Sequence, residues 1–376
     1  MSPLLFVIVM EYFIRLMRKI SKLNRFKFHS RCKGLSLNHL IFADDLMLFS
    51  YGDKDSIELL ARGLKTFEKC SGLKANAEKT SIYFGNVPVT ARSQIIHCIG
   101  FTVGEMPFKY LGLPLNAKYL RIVDFDSIVD KMLNRITCWS SRNLSYSARV
   151  TLINSVLMST HTYWAQCALL PVGVVNRITQ LCRAFLWGGN VVLSKTPPVA
   201  WDWICKPKAV GGLGIRDIGL WNKAALGRYI WKIALKQDSL WVMWVHSVYI
   251  KEDDWWTYTP KKSAGWAWKK LCAIKEDLKA GFSQNCWQNS VYKISEVYKW
   301  LQGDLPTVNW VNWVWNPYNL PKHSFITWMA IQNRLRMRKQ LASLNICQDA
   351  SCLLCGEAEE DTAHLFFSCS YSKACI

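Results

Sequence analysis

The sequence predicts an α+β chain: a mixed first third with short strands, a mostly helical middle, and a small cysteine- and histidine-bearing module at the C-terminus. Three observations predict it. Apolar residues alternate on either side of the pair Asp44-Asp45, with Leu40-Ile41 before it and Leu46-Met47-Leu48-Phe49 after it, the pattern of a β-hairpin. From Asp126 the apolar spacing changes to helical steps through Ile128, Val129, Met132, Leu133 and Ile136. Near the end, Cys352, Cys355, His364 and Cys369 follow one another as C-x2-C-x8-H-x4-C.

The aspartates sit at or beside the hairpin turn, in Phe42-Ala43-Asp44-Asp45. Two like charges there repel unless a cation neutralises them. Oxygen-only ligands on a rigid hairpin suit Mg²⁺, which takes one or two protein carboxylates and completes its shell with water and substrate phosphates. That arrangement serves two-metal phosphoryl transfer. The plain alternative is a surface turn with two solvated aspartates, because Asp favours turns for local hydrogen-bonding reasons. Before the hairpin, Ser2-Pro3-Leu4-Leu5-Phe6 opens an apolar helix, with Ser2 as N-cap and Pro3 at the first helical position. After it, a helix is expected near Ser56–Cys70, with short strands around Ser81–Phe84 and Tyr110–Leu113.

Two more motifs follow: Gly72-Leu73-Lys74-Ala75-Asn76-Ala77-Glu78-Lys79 and Tyr110-Leu111-Gly112-Leu113-Pro114-Leu115. The ordered set SPLLF, FADD, GLKxNxxK and YLGLPL resembles the second half of the palm of non-LTR (LINE-type) reverse transcriptases, particularly those of plants. The resemblance implies an RNA-directed DNA polymerase, a nucleotidyltransferase using Mg²⁺ ions. In it Asp44 is the principal metal ligand, Asp45 its partner, and Lys79 lies near the phosphates of the incoming nucleotide. Such a palm needs a further aspartate on an earlier strand, yet Glu11 is the only acidic residue before Asp44. The expectation is therefore a truncated palm that is inactive alone, with an unpaired strand edge prone to association.

Formal charge is +20 in 376 residues, which favours a polyanionic partner because Lys and Arg release counterions from phosphates. Basic residues concentrate at Arg15–Lys33 and Lys261–Lys279. Most are read as solvated faces, and only a groove would make them a binding site. Apolar residues make up 51% with 19 Trp, so the chain is packed rather than disordered. The 14 cysteines are scattered through a large chain, which argues against a secreted disulfide framework. Cys138, Cys167 and Cys182 read as small buried hydrophobes. The run Leu4–Met10 lacks a preceding positive region and is too short to span a bilayer. An intracellular protein, nuclear or cytoplasmic, with no membrane partner is expected.

In the middle, helices are expected from Asp126, near Ser147–Trp164, and from Pro171 to about Trp187. Their position is similar to the thumb of the family, which grips the template–primer duplex; a plain helical bundle has the same periodicity. Gly211-Gly212-Leu213-Gly214 does not match a Rossmann or P-loop spacing and no Lys-Ser/Thr pair follows. A tight turn feeding a helix capped by Asp217 is expected instead. Between about 237 and 290 lie Trp241, Trp244, Trp255, Trp256, Trp266, Trp268 and Trp287. These aromatics could stack bases, but core packing is the stronger reading.

The C-terminal quartet supplies the ligands of a closed Cys₃His zinc site, structural because no position is left for water. Gly356 after the second Cys permits the tight turn required. Cys347 and Cys375 lie nearby and could replace a ligand. The preceding Trp310, Trp313-Val314-Trp315, Pro321-Lys322, Phe325 and Trp328 resemble the lead-in to the zinc-binding domain of plant LINE-type reverse transcriptases. The resulting plan is a partial palm at 1–116, a thumb-like region at 117–190, a connector at 191–290 and a zinc-binding domain at 291–376. RNA and DNA, as template and primer, are the expected partners. The other reading is a noncatalytic zinc-containing nucleic-acid-binding protein.

Overall fold

The computed structural model describes residues 2–116, 119–194, 196–283, 287 and 291–375. They fall into two units, Met1–Leu120 with Arg228–Ser283, and Arg121–Gly227 with Gln284–Ile376. A β-containing N-terminal region is followed by a mostly helical one and then by the cysteine-rich module, which is the predicted fold class. The capping role expected of Ser2 rests on its side chain, which lies outside what is described.

In the first unit, α1 (Ser2–Ile20) and α2 (Lys54–Ser71) face each other. Phe13, Met17 and Ile20 recur at helical spacing on α1 and meet Leu60, Leu64 and Phe67 of α2 in one core with Phe26. Gly63 is where the helices come closest, since a Cβ there would run into Met17 and Ile20. Phe13 and Phe67 meet edge to face at 5.0 Å, the arrangement their ring quadrupoles favour. The early turns of α1 differ: Leu4, Leu5, Val7 and Ile8 are exposed.

Between the helices, β1 (His39–Phe42) and β2 (Asp45–Leu48) form an antiparallel hairpin. Its Ile41, Leu46 and Leu48 rest on the α1–α2 core. Then β3 (Ser81–Ile82) pairs in parallel with β4 (Thr102–Val103), joined by α3 (Val89–Ile99), because parallel neighbours need a crossover. The strand expected over 81–84 thus keeps only its first two residues. β5 (Phe108–Tyr110) and β6 (Leu113–Leu115) make a second hairpin. The single strand expected over 110–113 is instead the turn of that hairpin. Leu111 and Gly112 have φ of 49° and 77°, and two consecutive positive φ values are what a type I′ two-residue hairpin loop requires.

The rest of this unit carries the tryptophan-rich stretch. Trp255 and Trp268 are buried and 5.7 Å apart between ring centres, and Trp241, Trp244, Trp256 and Trp266 are half-buried, so these rings build core. Trp244 Nε1 donates to the Arg31 carbonyl at 2.9 Å, tying the stretch to the N-terminal part. The lysines are not all solvated. On helix Trp266–Ser283, Lys275 is fully buried, and its Nζ donates to the carbonyls of Tyr258 at 2.7 Å and Trp255 at 3.2 Å. Lys279 does the same to Trp256 at 3.1 Å. Changing Lys275 to Met strands two carbonyls and should destabilise the unit by roughly 3 kcal/mol. Hydrogen exchange should then accelerate across residues 253–262; unchanged protection there would reject this role.

In the second unit, helix Asp126–Ser140 buries Ile128, Val129, Met132 and Ile136. Helix Tyr146–Leu152 continues through a π turn at Ile153–Leu157 into Met158–Thr160 and Thr162–Cys167. Helix Val172–Gly188 buries Val174, Ile178, Leu181 and Phe185. Cys182 is buried, but Cys138 and Cys167 are exposed. Sulfur hydrophobicity alone did not say which face of each helix turns inward. Asn222, nearly fully buried, accepts from Leu170 N at 2.8 Å and donates to the carbonyls of Ala165 and Ala168 at 2.6 and 3.0 Å. It closes off the helix end, and no sequence signal announced it.

Gly211–Gly214 is structural. Gly212 has no room for a Cβ against the carbonyls of Lys206 and Trp203, and Leu213 N and Gly214 N bond back to Ile204 O and Lys206 O at 3.1 and 2.9 Å. Asp217 caps the next helix through Leu220 N at 2.7 Å. The Gly211 carbonyl in turn receives Trp328 Nε1 at 2.7 Å and Gln332 Nε2 at 2.9 Å. The glycine turn is therefore the seat of the segment leading to the cysteines.

His161 is fully buried in this unit, edge-on to Trp221 at 6.1 Å. Burial, then the charge of Arg216, lower its pKa from 6.5 to about 4, against a partial rise from the Leu157 backbone. Folding thus favours the neutral ring. That contribution is intact above 6.5 and is lost as pH falls toward 4, about 3 kcal/mol in all. Denaturation midpoints measured across this window should fall with acid, and His161→Phe should flatten the slope. An equal slope in both proteins would refute it.

Candidate functional site

The aspartate hairpin has the register Phe42↔Asp45, leaving Ala43 and Asp44 as its two-residue loop. Ala43 has φ of 49°, the positive value that primed hairpin turns need at the first central position. Glycine adopts it freely; alanine does so at a cost of about 1–3 kcal/mol. Asp44 occupies the loop and Asp45 opens β2, so both carboxylates stand at the exposed tip. Burial, then the charge of Asp45, hold the Tyr110 phenol above its usual pKa. The first residue of the YLGLPL motif therefore lies within electrostatic reach of the hairpin.

The GLKxNxxK residues have visible local duties. Gly72, at φ 74°, caps α2 and bonds to Glu68 O. The Asn76 side-chain oxygen accepts from Glu78 N at 2.9 Å and Lys79 N at 3.2 Å, an Asx turn. Lys79 follows it, exposed. Among the described residues no ion pair joins Lys79 to Asp44 or Asp45 and no third carboxylate joins that pair in a cluster.

The C-terminal quartet does come together. One ligand atom from each of Cys352, Cys355, His364 and Cys369 lies within 4.8 Å of the others, and His364 Nε2 is 3.2 Å from Cys355 Sγ. Zn–S bonds of about 2.3 Å and Zn–N bonds of about 2.0 Å put tetrahedral ligands roughly 3.5–3.8 Å apart, so the donor set and its span fit a structural zinc ion. Local chemistry explains the gathering. Gly356, at φ 68°, lets its N–H reach back to Cys352 O at 2.8 Å, the tight turn that folds the C-x2-C element. Glu357 N donates to Cys355 Sγ at 3.5 Å. Cys369 N reaches His364 O at 2.7 Å across the π turn His364–Ser368, which brings the last two ligands to one side.

Cys352 and Cys369 are buried. Backbone donation from Ser372, reinforced by its hydroxyl, by Cys355 and by the Tyr371 amide, outweighs burial and lowers the Cys369 thiol to about 7. The Glu357 amide pulls Cys355 down, but burial and the neighbouring thiols hold it above its usual value. Of the two spare thiols, Cys347 is turned to the carbonyls of Arg338 and Asp349 at 3.5 and 3.4 Å, and Cys375 is exposed on the terminal helix. Around the quartet, Lys339 pairs with Glu359 at 2.8 Å and Arg338 with Asp349 at 3.2 Å.

Comparison with known proteins agrees with both halves. Residues 1–115 match the family profile described as reverse transcriptase (RNA-dependent DNA polymerase), and residues 292–375 the one described as zinc-binding in reverse transcriptase. A putative ribonuclease H protein of Arabidopsis thaliana is 31% identical over 170 residues, 44% of this chain and 27% of that protein. An uncharacterized mitochondrial protein of the same plant is 24% identical over 150 residues, 40% of this chain and 97% of that protein. The chain spans about a quarter of the first relative's length. No described helix is long and apolar enough to cross a membrane. The chain carries a reverse-transcriptase-like N-terminal domain and, at its C-terminus, a zinc-binding module of the kind found with reverse transcriptases.

Proposed function

We propose that the chain works in RNA-directed DNA synthesis as part of a plant-type, non-LTR (LINE-type) reverse transcriptase, with RNA and DNA as template and primer. Asp44 is the principal Mg²⁺ ligand, Asp45 its partner, and Lys79 meets the phosphates of the incoming nucleotide. The observation that carries this reading is the hairpin register, which sets two adjacent carboxylates at an exposed tip. Hard oxygen donors in that position fit Mg²⁺, and the strained Ala43 beside them is the kind of backbone outlier that functional loops retain. Residues 1–116 serve as palm, 117–190 as thumb and 191–290 as connector. In 291–376 the module holds one structural Zn²⁺ through Cys352, Cys355, His364 and Cys369. Scattered cysteines, with no disulfide framework among the described residues, support a reducing compartment, nuclear or cytoplasmic.

A noncatalytic zinc-containing nucleic-acid-binding protein is the second reading. It is favoured by the lack, among the described residues, of a third carboxylate near Asp44 and Asp45. A chimera separates the two: residues 1–116 replace the matching part of an active reverse transcriptase that supplies the earlier strand and its aspartate. Template-primed synthesis that falls by roughly a hundredfold or more on Asp44→Ala supports the first reading. A folded chimera that binds template–primer and makes no DNA rejects it.

A further inference from the structure

Two concavities flank the start of helix Tyr146–Leu152 in the second unit. One, of about 420 Å³, is lined by Ser145, Ser147, Thr151, Leu320, Lys322 and His323. The other, of about 290 Å³, includes Ser141, Arg142, Asn143 and Arg149 in its lining. Tyr146, which opens that helix, is 43% exposed, stacked on Phe325 at 5.1 Å and covered by the Arg149 guanidinium at 5.3 Å. On the loop that leads into Leu320 of the larger concavity, Tyr318 is 96% exposed, and Trp313 a few residues earlier is 63% exposed. Their loop is held in shape by Asn319 Nδ2 donating to Trp313 O at 2.7 Å and by Tyr318 N donating to Asn316 Oδ1 at 3.0 Å.

The charge of this surface is one-sided. The sequence has no Asp or Glu between Asp130 and Asp202, nor between Asp304 and Asp349, and these two stretches build both concavities. Among the described residues neither Lys322 nor Arg142 forms an ion pair with a carboxylate. Hydroxyls and unpaired cations lining neighbouring concavities, with exposed rings on the loop that leads into one of them, are what a nucleic-acid strand uses: phosphates take the cations and hydroxyls, and bases stack on the rings. Stacking needs unpaired bases, and a 420 Å³ groove is the size of a small-ligand site, too small to seat a duplex.

We infer that this surface is a single-strand nucleic-acid binding site, in which Lys322, His323 and Arg142 hold phosphates and Tyr318 and Trp313 stack bases. The inference rests on the nucleic-acid reading of the proposed function but not on chemistry at the hairpin.

The full chain is titrated into a labelled oligo-deoxythymidine strand, and into a duplex of equal length, at two salt concentrations. Wild type should prefer the single strand. The double variant Tyr318→Ala, Lys322→Glu should bind it roughly tenfold more weakly or worse, with a salt slope shallower by about one. Tyr318→Phe, which keeps the ring, should bind like wild type. Circular dichroism checks that the variants fold, which the exposure of both side chains makes the expected result. Undiminished binding by the folded double variant, preference for the duplex, or equal binding of an acidic polypeptide overturns the site. Undiminished binding leaves the polymerase reading to the chimera; conversely, an inactive chimera with groove binding intact rejects that reading and keeps the site.

Discussion

Cys352→Ser, or removal of zinc by a chelator, is expected to unfold residues near 345–375 while helices Asp126–Ser140 and Val172–Gly188 persist. Within 338–375 the buried residues are Cys352 and Cys369, both from the ligand quartet. Apolar burial therefore contributes little there, and the ordered turns are expected to depend on the sulfur and imidazole donors sharing one ion. Structural Zn²⁺ sites of this type release apparent free energies of about 10–16 kcal/mol at neutral pH, far above what a few surface ion pairs supply. Lys339–Glu359 and Arg338–Asp349 are exposed or partly so and should not hold the module without metal. Metal analysis of the purified chain should give one zinc per molecule, and hydrogen exchange should show protection lost across 345–375 after chelation. A metal content near zero, or protection unaltered by chelator, would defeat the claim. Retention of zinc by His364→Ala with loss on Cys347→Ser would keep the site and change its ligands. The lead-in helix Pro321–Ile331 should survive, because Trp328 is fully buried and hydrogen-bonded to Gly211.

The second large effect concerns activity: the chain by itself should give no template-primed nucleotide incorporation above background. Two-metal transfer stabilises the attacking and leaving oxygens together, which requires carboxylates on both sides of the ion pair. Asp44 and Asp45 come from one hairpin tip, and no third carboxylate clusters with them among the described residues. Loss of one electrostatic element of such a site typically costs roughly 10²–10³ in rate, and an absent ligand removes more than one contact. Incorporation that disappears in Asp44→Ala would disprove this prediction. Incorporation that survives Asp44→Ala would identify a contaminating polymerase.

Period and punctuation carried much of this molecule in the sequence itself. The aspartate hairpin, the helices from Asp126 and Val172, the Asp217 cap and the gathering of Cys352, Cys355, His364 and Cys369 are local in sequence. Alternation, helical spacing and a short C-x2-C element are read by the nearest few residues, so no distant partner is needed to specify them. Where the signal was ambiguous, local reading failed for a reason. Tyr110–Leu113 reads as apolar strand, but two positive φ values make it a turn. Cys138 and Cys167 read as buried thiols but face outward, because a helix face is chosen by what packs against it.

Tertiary structure alone decided the fate of residues whose partners lie far along the chain. Lys275 looked like one more solvated charge until the carbonyls of Trp255 and Tyr258 closed on it. Gly211 offered no function in sequence, yet its carbonyl seats Trp328 from 117 residues away. Asn222 closes off the helix end at 165–170, and His161 is pressed neutral by burial and by Arg216. Composition fixes which groups can bond. Only the fold brings a buried donor to its acceptor, and the cost of leaving either one unpaired makes those long-range pairs binding constraints on the structure.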